Sequence, residues 1–149
     1  MKISIGCDKA GTPFIERICQ ELENKNISYK VLFDGKEDGC DYTDAAFAVA
    51  KSVTEGEADL GILICGTGIG MSMAANKIKG IRAAVCSDTF SAKMTRVHNN
   101  ANILCMGARV IGEELAICIL HEFINAEFEK GGRHERRVNK IIAAEEGNF

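Results

Sequence analysis

The chain has 149 residues and a mass of 16.1 kDa, with 46% hydrophobic and 26% charged residues. That length and composition describe one folded domain, able to bury roughly two-thirds of its unfolded surface, and exclude a disordered segment. A net charge of −3 and a pI of about 5.7 exclude a broadly basic nucleic-acid-binding surface. No apolar run approaches the roughly 18 residues of a spanning helix, and the run Met1–Gly6 is too short for a secretory signal. The expectation is a soluble, cytoplasmic protein with no membrane and no nucleic-acid partner.

Seven cysteines lie at 7, 19, 40, 65, 86, 105 and 118. Their odd number and the lack of C-x-x-C spacing argue against a disulfide framework and against a zinc site. Six of them read as small core residues; Cys65 is set apart by its neighbours.

Lys2–Gly6 reads as a strand, and Cys7–Gly11 as a loop. Thr12-Pro13 reads as an N-cap followed by Pro at the first helical position, with a helical stripe through Phe14, Ile15, Ile18, Cys19 and Leu22 to about Lys25. Ser28–Phe33 is a second strand and Asp34–Tyr42 a polar loop. Thr43–Glu55 is a helix stopped by Gly56. Leu60–Cys65 is the third strand, followed at once by Gly66-Thr67-Gly68-Ile69-Gly70 and a helix over Met71–Lys79. Ile81–Cys86 is the fourth strand. Asp88–His98 is a helix capped by Ser87 or Asp88. Asn102–Met106 is the fifth strand, Gly112–Phe128 a helix, Gly131-Gly132 a break, and His134–Glu146 the last helix.

Strands alternating with helices predict an α/β fold, a Rossmann-like three-layer sandwich around a five-stranded parallel sheet. Residues 1–149 form one domain, with 131–149 as a C-terminal helical extension. Ligands in such sheets lie beyond the carboxyl ends of the strands. The loops at 6–12, 34–42, 65–70, 86–88 and 106–112 are therefore the ones to inspect.

Gly66 to Gly70 sit between a strand and a helix, where glycines let backbone N–H groups face an anion. Met71 occupies the place of the third glycine of a dinucleotide fingerprint, and no Gly-Lys-Ser/Thr closes a P-loop. Cys65 precedes this loop. Its N–H groups would favour a thiolate, usable as nucleophile or as general base, against the plainer reading of a buried structural cysteine. His98 is either a helix C-cap or an acid/base group, and Asn99 could polarise a substrate oxygen. His121 reads as structural. Arg133 and Arg137, four apart on one helix face, suit a phosphate or form a solvated basic face. Asp8, Lys9 and Arg109 fall at the ligand-binding edge.

Together these segments resemble the type B ribose-5-phosphate isomerase family, which includes galactose-6-phosphate isomerase subunits. The matching stretches are Ile5-Gly6-Cys7-Asp8, Gly56-Glu57-Ala58-Asp59, Ile62 to Ser72 with its cysteine–glycine loop, Ala74-Ala75-Asn76-Lys77, Gly80-Ile81-Arg82-Ala83, His98-Asn99, Gly107-Ala108-Arg109-Val110, Gly131-Gly132-Arg133-His134 and Arg137-Val138. The resemblance implies metal-free, cofactor-free interconversion of an aldose phosphate and a ketose phosphate. It also implies a homodimer or homotetramer with sites built across the subunit interface. It makes Cys65 the base between C1 and C2, His98 the ring-opening residue, and Thr67 a third member of the catalytic set. Asp8 and Asn99 meet sugar oxygens, Gly66 to Gly70 hold the enediolate oxygen, and Arg133 and Arg137, with Arg109, hold the phosphate.

Two departures bear on the substrate. Lys9 stands where the family usually has histidine, and Thr43 where it often has proline. Ribose 5-phosphate with ribulose 5-phosphate is the expected pair. The alternatives are a hexose 6-phosphate (allose or galactose) and a non-catalytic phosphosugar-binding module. A thiol redox role is disfavoured by the missing C-x-x-C.

Overall fold

The computed structural model describes residues 1–148; residue 149, the end of the expected extension, lies outside them. In chain order the elements are β1 (Lys2–Cys7), α1 (Thr12–Asn24), β2 (Ser28–Asp34), α2 (Tyr42–Thr54), β3 (Leu60–Cys65), α3 (Ile69–Ala75), β4 (Ala83–Val85), α4 (Thr89–Asn99), β5 (Ile103–Gly107), α5 (Glu113–Asn125) and α6 (Arg133–Glu145). The strands form one five-stranded sheet in the order β2-β1-β3-β5-β4, with every pairing parallel. No helix among the described residues is long and apolar enough to cross a membrane.

The central strand β3 is buried at all six positions, as expected of a parallel strand covered on both faces. Its alternate residues feed two cores. Leu60, Ile62 and Ile64 join Phe14, Ile18 and Leu22 of α1 and Ile119, Leu120 and Phe123 of α5. Leu63 and Cys65 join Val49 and Ala50 of α2 and Met71 and Ala75 of α3. Each fully buried large side chain here contributes about 1.5–3 kcal/mol. Because α1 lies on one face and α2 on the other, the chain reverses its winding between β1 and β3. A ligand crevice therefore opens beyond Cys7 and Cys65.

Several ends differ from expectation, each for a visible reason. Thr12 does not cap α1: Gly11 is the cap and Pro13 lies in the first turn, while Thr12 Oγ1 donates to the Asp34 carbonyl across 3.1 Å. Helix α3 stops at Ala75, not Lys79. Asn76 there turns its side chain onto Ala83, donating to its carbonyl at 2.8 Å and accepting from its N–H at 2.8 Å. β4 begins at Ala83 rather than Ile81, and just before it Arg82 N–H donates to Asn102 Oδ1 at 2.8 Å. Asp88 is the cap of α4, accepting from Ser91 N–H at 2.7 Å. Helix α6 buries only His134 and Val138 and packs on α4 rather than on the sheet.

All seven cysteines are free. Cys7, Cys86 and Cys105 are core residues, and burial pushes their thiols up, Cys7 to about 12 and Cys86 to about 11. Cys19 packs against the core edge. Cys40 is half-buried in the polar loop and Cys118 is exposed, so neither fits the core reading.

Candidate active site

Cys65 closes β3 with 6% of its surface exposed. Parallel pairing sets it beside Gly107 of β5, and its carbonyl accepts from Ala108 N–H at 2.8 Å. The loop that follows curls back so that Gly68 N–H donates to Cys65 Sγ across 3.1 Å. This curl requires glycine at 68. Its φ is +78°, and a Cβ there would lie 3.0–3.2 Å from the Met106 backbone. A second loop amide, Ile69 N–H, is taken by Thr67 Oγ1 at 3.3 Å. Two of the amides expected to hold an oxyanion are thus already engaged, one of them on the sulfur itself.

Around this loop the edge supplies charge and a wall. The Arg109 side chain lies over Gly66, and Arg109 N–H donates to the Gly66 carbonyl at 3.1 Å. Asp8 follows β1, and its N–H donates to the Ile64 carbonyl at 3.2 Å. Its Oδ1 accepts from Ala10 N–H at 2.9 Å and Gly11 N–H at 3.2 Å, which fixes the carboxylate's orientation. Lys9 beside it is exposed and makes no ion pair among the described residues. Tyr42, expected at the end of the polar loop, instead opens α2 and leans its ring on Gly70, with Cε2 2.8 Å from where a Cβ would project. Aromatic type alone carried no hint of that contact.

His98, Asn99, Arg133 and Arg137 are not at this edge. Helix α4 runs antiparallel to the strands, so its last residues return to the amino end of the sheet before β5 begins at Ile103. Ile103 and Gly107 are separated along β5 by about 13 Å at the usual rise per residue. Cys65 and His98 therefore do not form a pair within one chain.

The His98 end has its own geometry. The His134 ring stacks on that of His98, with centroids 4.0 Å apart and planes within 4° of parallel. Arg133 Nε donates to His134 Nε2 at 3.3 Å. Burial lowers the His134 pKa, and His98, Arg133 and Arg137 add to that, against an opposing pull from Glu129. Arg133 and Arg137 are exposed in the first turns of α6. His134 was visible in the sequence only as part of a motif, because nothing along the chain reveals a stacking partner 36 residues away. His121, read as structural, pairs through Nε2 with Glu21 Oε1 at 2.6 Å, and Glu21 also meets Arg17. No metal-ligand spacing is visible along the sequence, yet His98, Glu129 and His134 place their ligand atoms within 4.8 Å of one another.

Comparison with known proteins matches residues 3–141 to the family described as Ribose/Galactose Isomerase. The chain is 44% identical to "Ribose-5-phosphate isomerase B" of Escherichia coli, with 97% of each chain covered. It is 41% identical to "D-erythrulose-4-phosphate isomerase 2" of Mycolicibacterium smegmatis, again over 97% of each. Among solved structures, ribose-5-phosphate isomerase B of Clostridium thermocellum superposes with a TM-score of 0.94 at 45% identity, covering 99% of both chains. The enzyme of Mycoplasma genitalium with bound ribulose 5-phosphate superposes with a TM-score of 0.90 at 41% identity, covering 97% of this chain and 96% of that one. With the match running nearly end to end, and the cysteine–glycine loop set at the crevice where the sheet reverses its winding, the chain belongs to the ribose/galactose isomerase family of sugar-phosphate isomerases.

Proposed function

We propose that this enzyme interconverts ribose 5-phosphate and ribulose 5-phosphate, with Cys65 as the base and with each site completed by a second copy of the chain. The reading is carried by one observation: Cys65 Sγ receives the Gly68 N–H at the winding switch, the kind of bond a thiolate accepts.

The thiolate of Cys65 takes the proton from C2 of the open-chain aldose, the electron pair moves into the C1–C2 bond, and the carbonyl π pair moves onto O1 to give an enediolate. The same proton, returned to C1, yields the ketose, while the hydroxyl proton on O2 passes to O1. Deprotonating carbon is costly, and preorganised N–H donors lower the barrier by meeting the developing oxyanion. Asp8 and Thr67 at the same edge are the groups for sugar hydroxyls. Arg109 supplies positive charge there.

His98, Asn99, Arg133 and Arg137 come from the opposite edge of a second copy. There His98 passes a proton to the ring oxygen as the bond from C1 to that oxygen breaks and the O1 hydroxyl gives up its proton to solvent, and the two guanidinium groups hold the phosphate. Apolar side chains left exposed on α3, β4 and α4, namely Ile69, Met73, Val85 and Phe90, are surface that a second copy would cover. Seven free thiols suit the reducing cytoplasm.

Lys9 and Thr43 are the positions that would retune the sugar, toward a hexose 6-phosphate or toward the four-carbon substrate named for one relative. The test is an isomerase assay on a panel of tetrose, pentose and hexose phosphates. The highest kcat/KM is expected for ribose 5-phosphate, and a higher value for a six-carbon or four-carbon phosphate would overturn the substrate assignment.

A further inference from the structure

We propose that His134 is a positioning residue of the isomerase site: its ring face holds the imidazole of His98, and its Nε2 holds the guanidinium of Arg133. The proposal rests on the roles given above to His98 in ring opening and to Arg133 in phosphate binding.

The start of α6 is tied to the end of α4. Glu129 N–H donates to the Val97 carbonyl at 3.0 Å, one residue before His98. Glu135 Oε2 accepts from Gly131 N–H at 2.8 Å and closes the turn that leads into α6. Within α6 only His134 and Val138 are buried, four apart on one face, and the helix packs on α4. A joint that needed only filling would be served by an apolar residue at both positions. Histidine stands at one of them, with 6% of its surface exposed.

That histidine makes two contacts of different kinds. Its ring lies on the His98 ring, with centroids 4.0 Å apart and planes within 4° of parallel, which limits rotation of the His98 side chain. Its Nε2 accepts from Arg133 Nε at 3.3 Å. An arginine Nε is always a donor, so this bond has one direction. It engages the inner nitrogen of the guanidinium and leaves the two outer nitrogens, the fork that suits a phosphate. Among the described residues Arg133 makes no ion pair that would draw the fork elsewhere. One buried ring therefore sets both the plane of the proton-transferring imidazole and the direction of a phosphate-binding fork. Both groups belong to the part of the site that a second copy supplies, so contacts within one chain fix their relative placement before substrate arrives.

The test compares two variants that each keep one of the contacts. His134→Phe keeps a ring to stack on His98 but has no acceptor. His134→Gln has no ring, but its amide oxygen can accept from Arg133. Each is measured for the Kd of inorganic phosphate by calorimetry, for the His98 ring-proton resonances by NMR, and for kcat and KM on ribose 5-phosphate. His134→Phe should weaken phosphate binding about fivefold or more and raise KM, with the His98 resonances still shifted by an aromatic neighbour. His134→Gln should move those resonances out of the ring-current field and lower kcat by about tenfold or more, with phosphate Kd within about twofold of the parent value. Equal loss of phosphate affinity in the two variants, His98 resonances unmoved in His134→Gln, or a kcat in that variant no lower than in His134→Phe would overturn the proposal. Calorimetric stoichiometry reports the folded fraction, so kcat is corrected for any misfolded protein. Phosphate affinity and the His98 resonances are read without turnover, so a failure of the substrate assignment is distinguishable from a failure of the positioning role.

Discussion

The amide of Gly68 donates to Sγ of Cys65 across 3.1 Å, so the residue that turns the loop also touches the reacting atom. The left-handed backbone at Gly68 aims that N–H at the sulfur rather than at solvent. Cys65→Ser should abolish turnover while leaving thermal unfolding nearly unchanged, because a hydroxyl is too weakly acidic to act as the base. Retained activity within a few-fold of the parent enzyme would remove Cys65 from the mechanism.

Gly68→Ala tests the same relationship from the other side. A Cβ at φ +78° costs about 1–2 kcal/mol, and it would also press on the Met106 backbone at 3.0–3.2 Å. The expected outcome is a lower melting temperature together with a loss of kcat. Unchanged kcat in a destabilised protein would separate the turn from the chemistry.

The glycine loop was readable because its parts are contiguous: an apolar run, a cysteine, then three glycines in five residues. The parallel sheet was readable from the alternation of elements. What the linear sequence hides is which end of each element a residue reaches and what it meets there. His98 and Cys65 read as one pair, yet the antiparallel course of α4 sends His98 to the far end of the sheet. Tyr42 on Gly70 and His134 on His98 are contacts between elements distant in sequence, so no local spacing encodes them. Element ends moved where side chains replaced backbone partners, as Asn76 does at Ala83.

The pH dependence of stability follows from His134. Its folded pKa is lowered from the ordinary value of 6.5, first by burial and then by His98, with Arg133 and Arg137 adding to it and Glu129 opposing. Below that value the unfolded chain binds a proton more readily than the folded one, so stability falls as pH drops through the ordinary imidazole range. Thermal melts from neutral pH downward should show that decline, and His134→Asn should flatten it. An equally steep decline in the variant would assign the effect to other groups.

Lys9 sits beside the fixed carboxylate of Asp8 with no ion pair of its own among the described residues. An ammonium on a flexible stem differs from an imidazole in reach and donor geometry. Lys9→His should change the ratio of kcat/KM for ribose 5-phosphate over a hexose 6-phosphate by about tenfold, or roughly 1.4 kcal/mol of differential transition-state binding. A ratio constant within a factor of two would place Lys9 outside the specificity determinants.

Completion of each site by a second copy is tested most directly by mixing two inactive variants, Cys65→Ser and His98→Asn, under conditions where subunits exchange. In a mixed dimer one site carries both substitutions and the other carries neither. An equal mixture should therefore recover about a quarter of the parent turnover, since half of the dimers are mixed and each has one intact site. Turnover no higher than that of the separate variants, in a mixture shown to have exchanged subunits, would contradict a site shared between two copies.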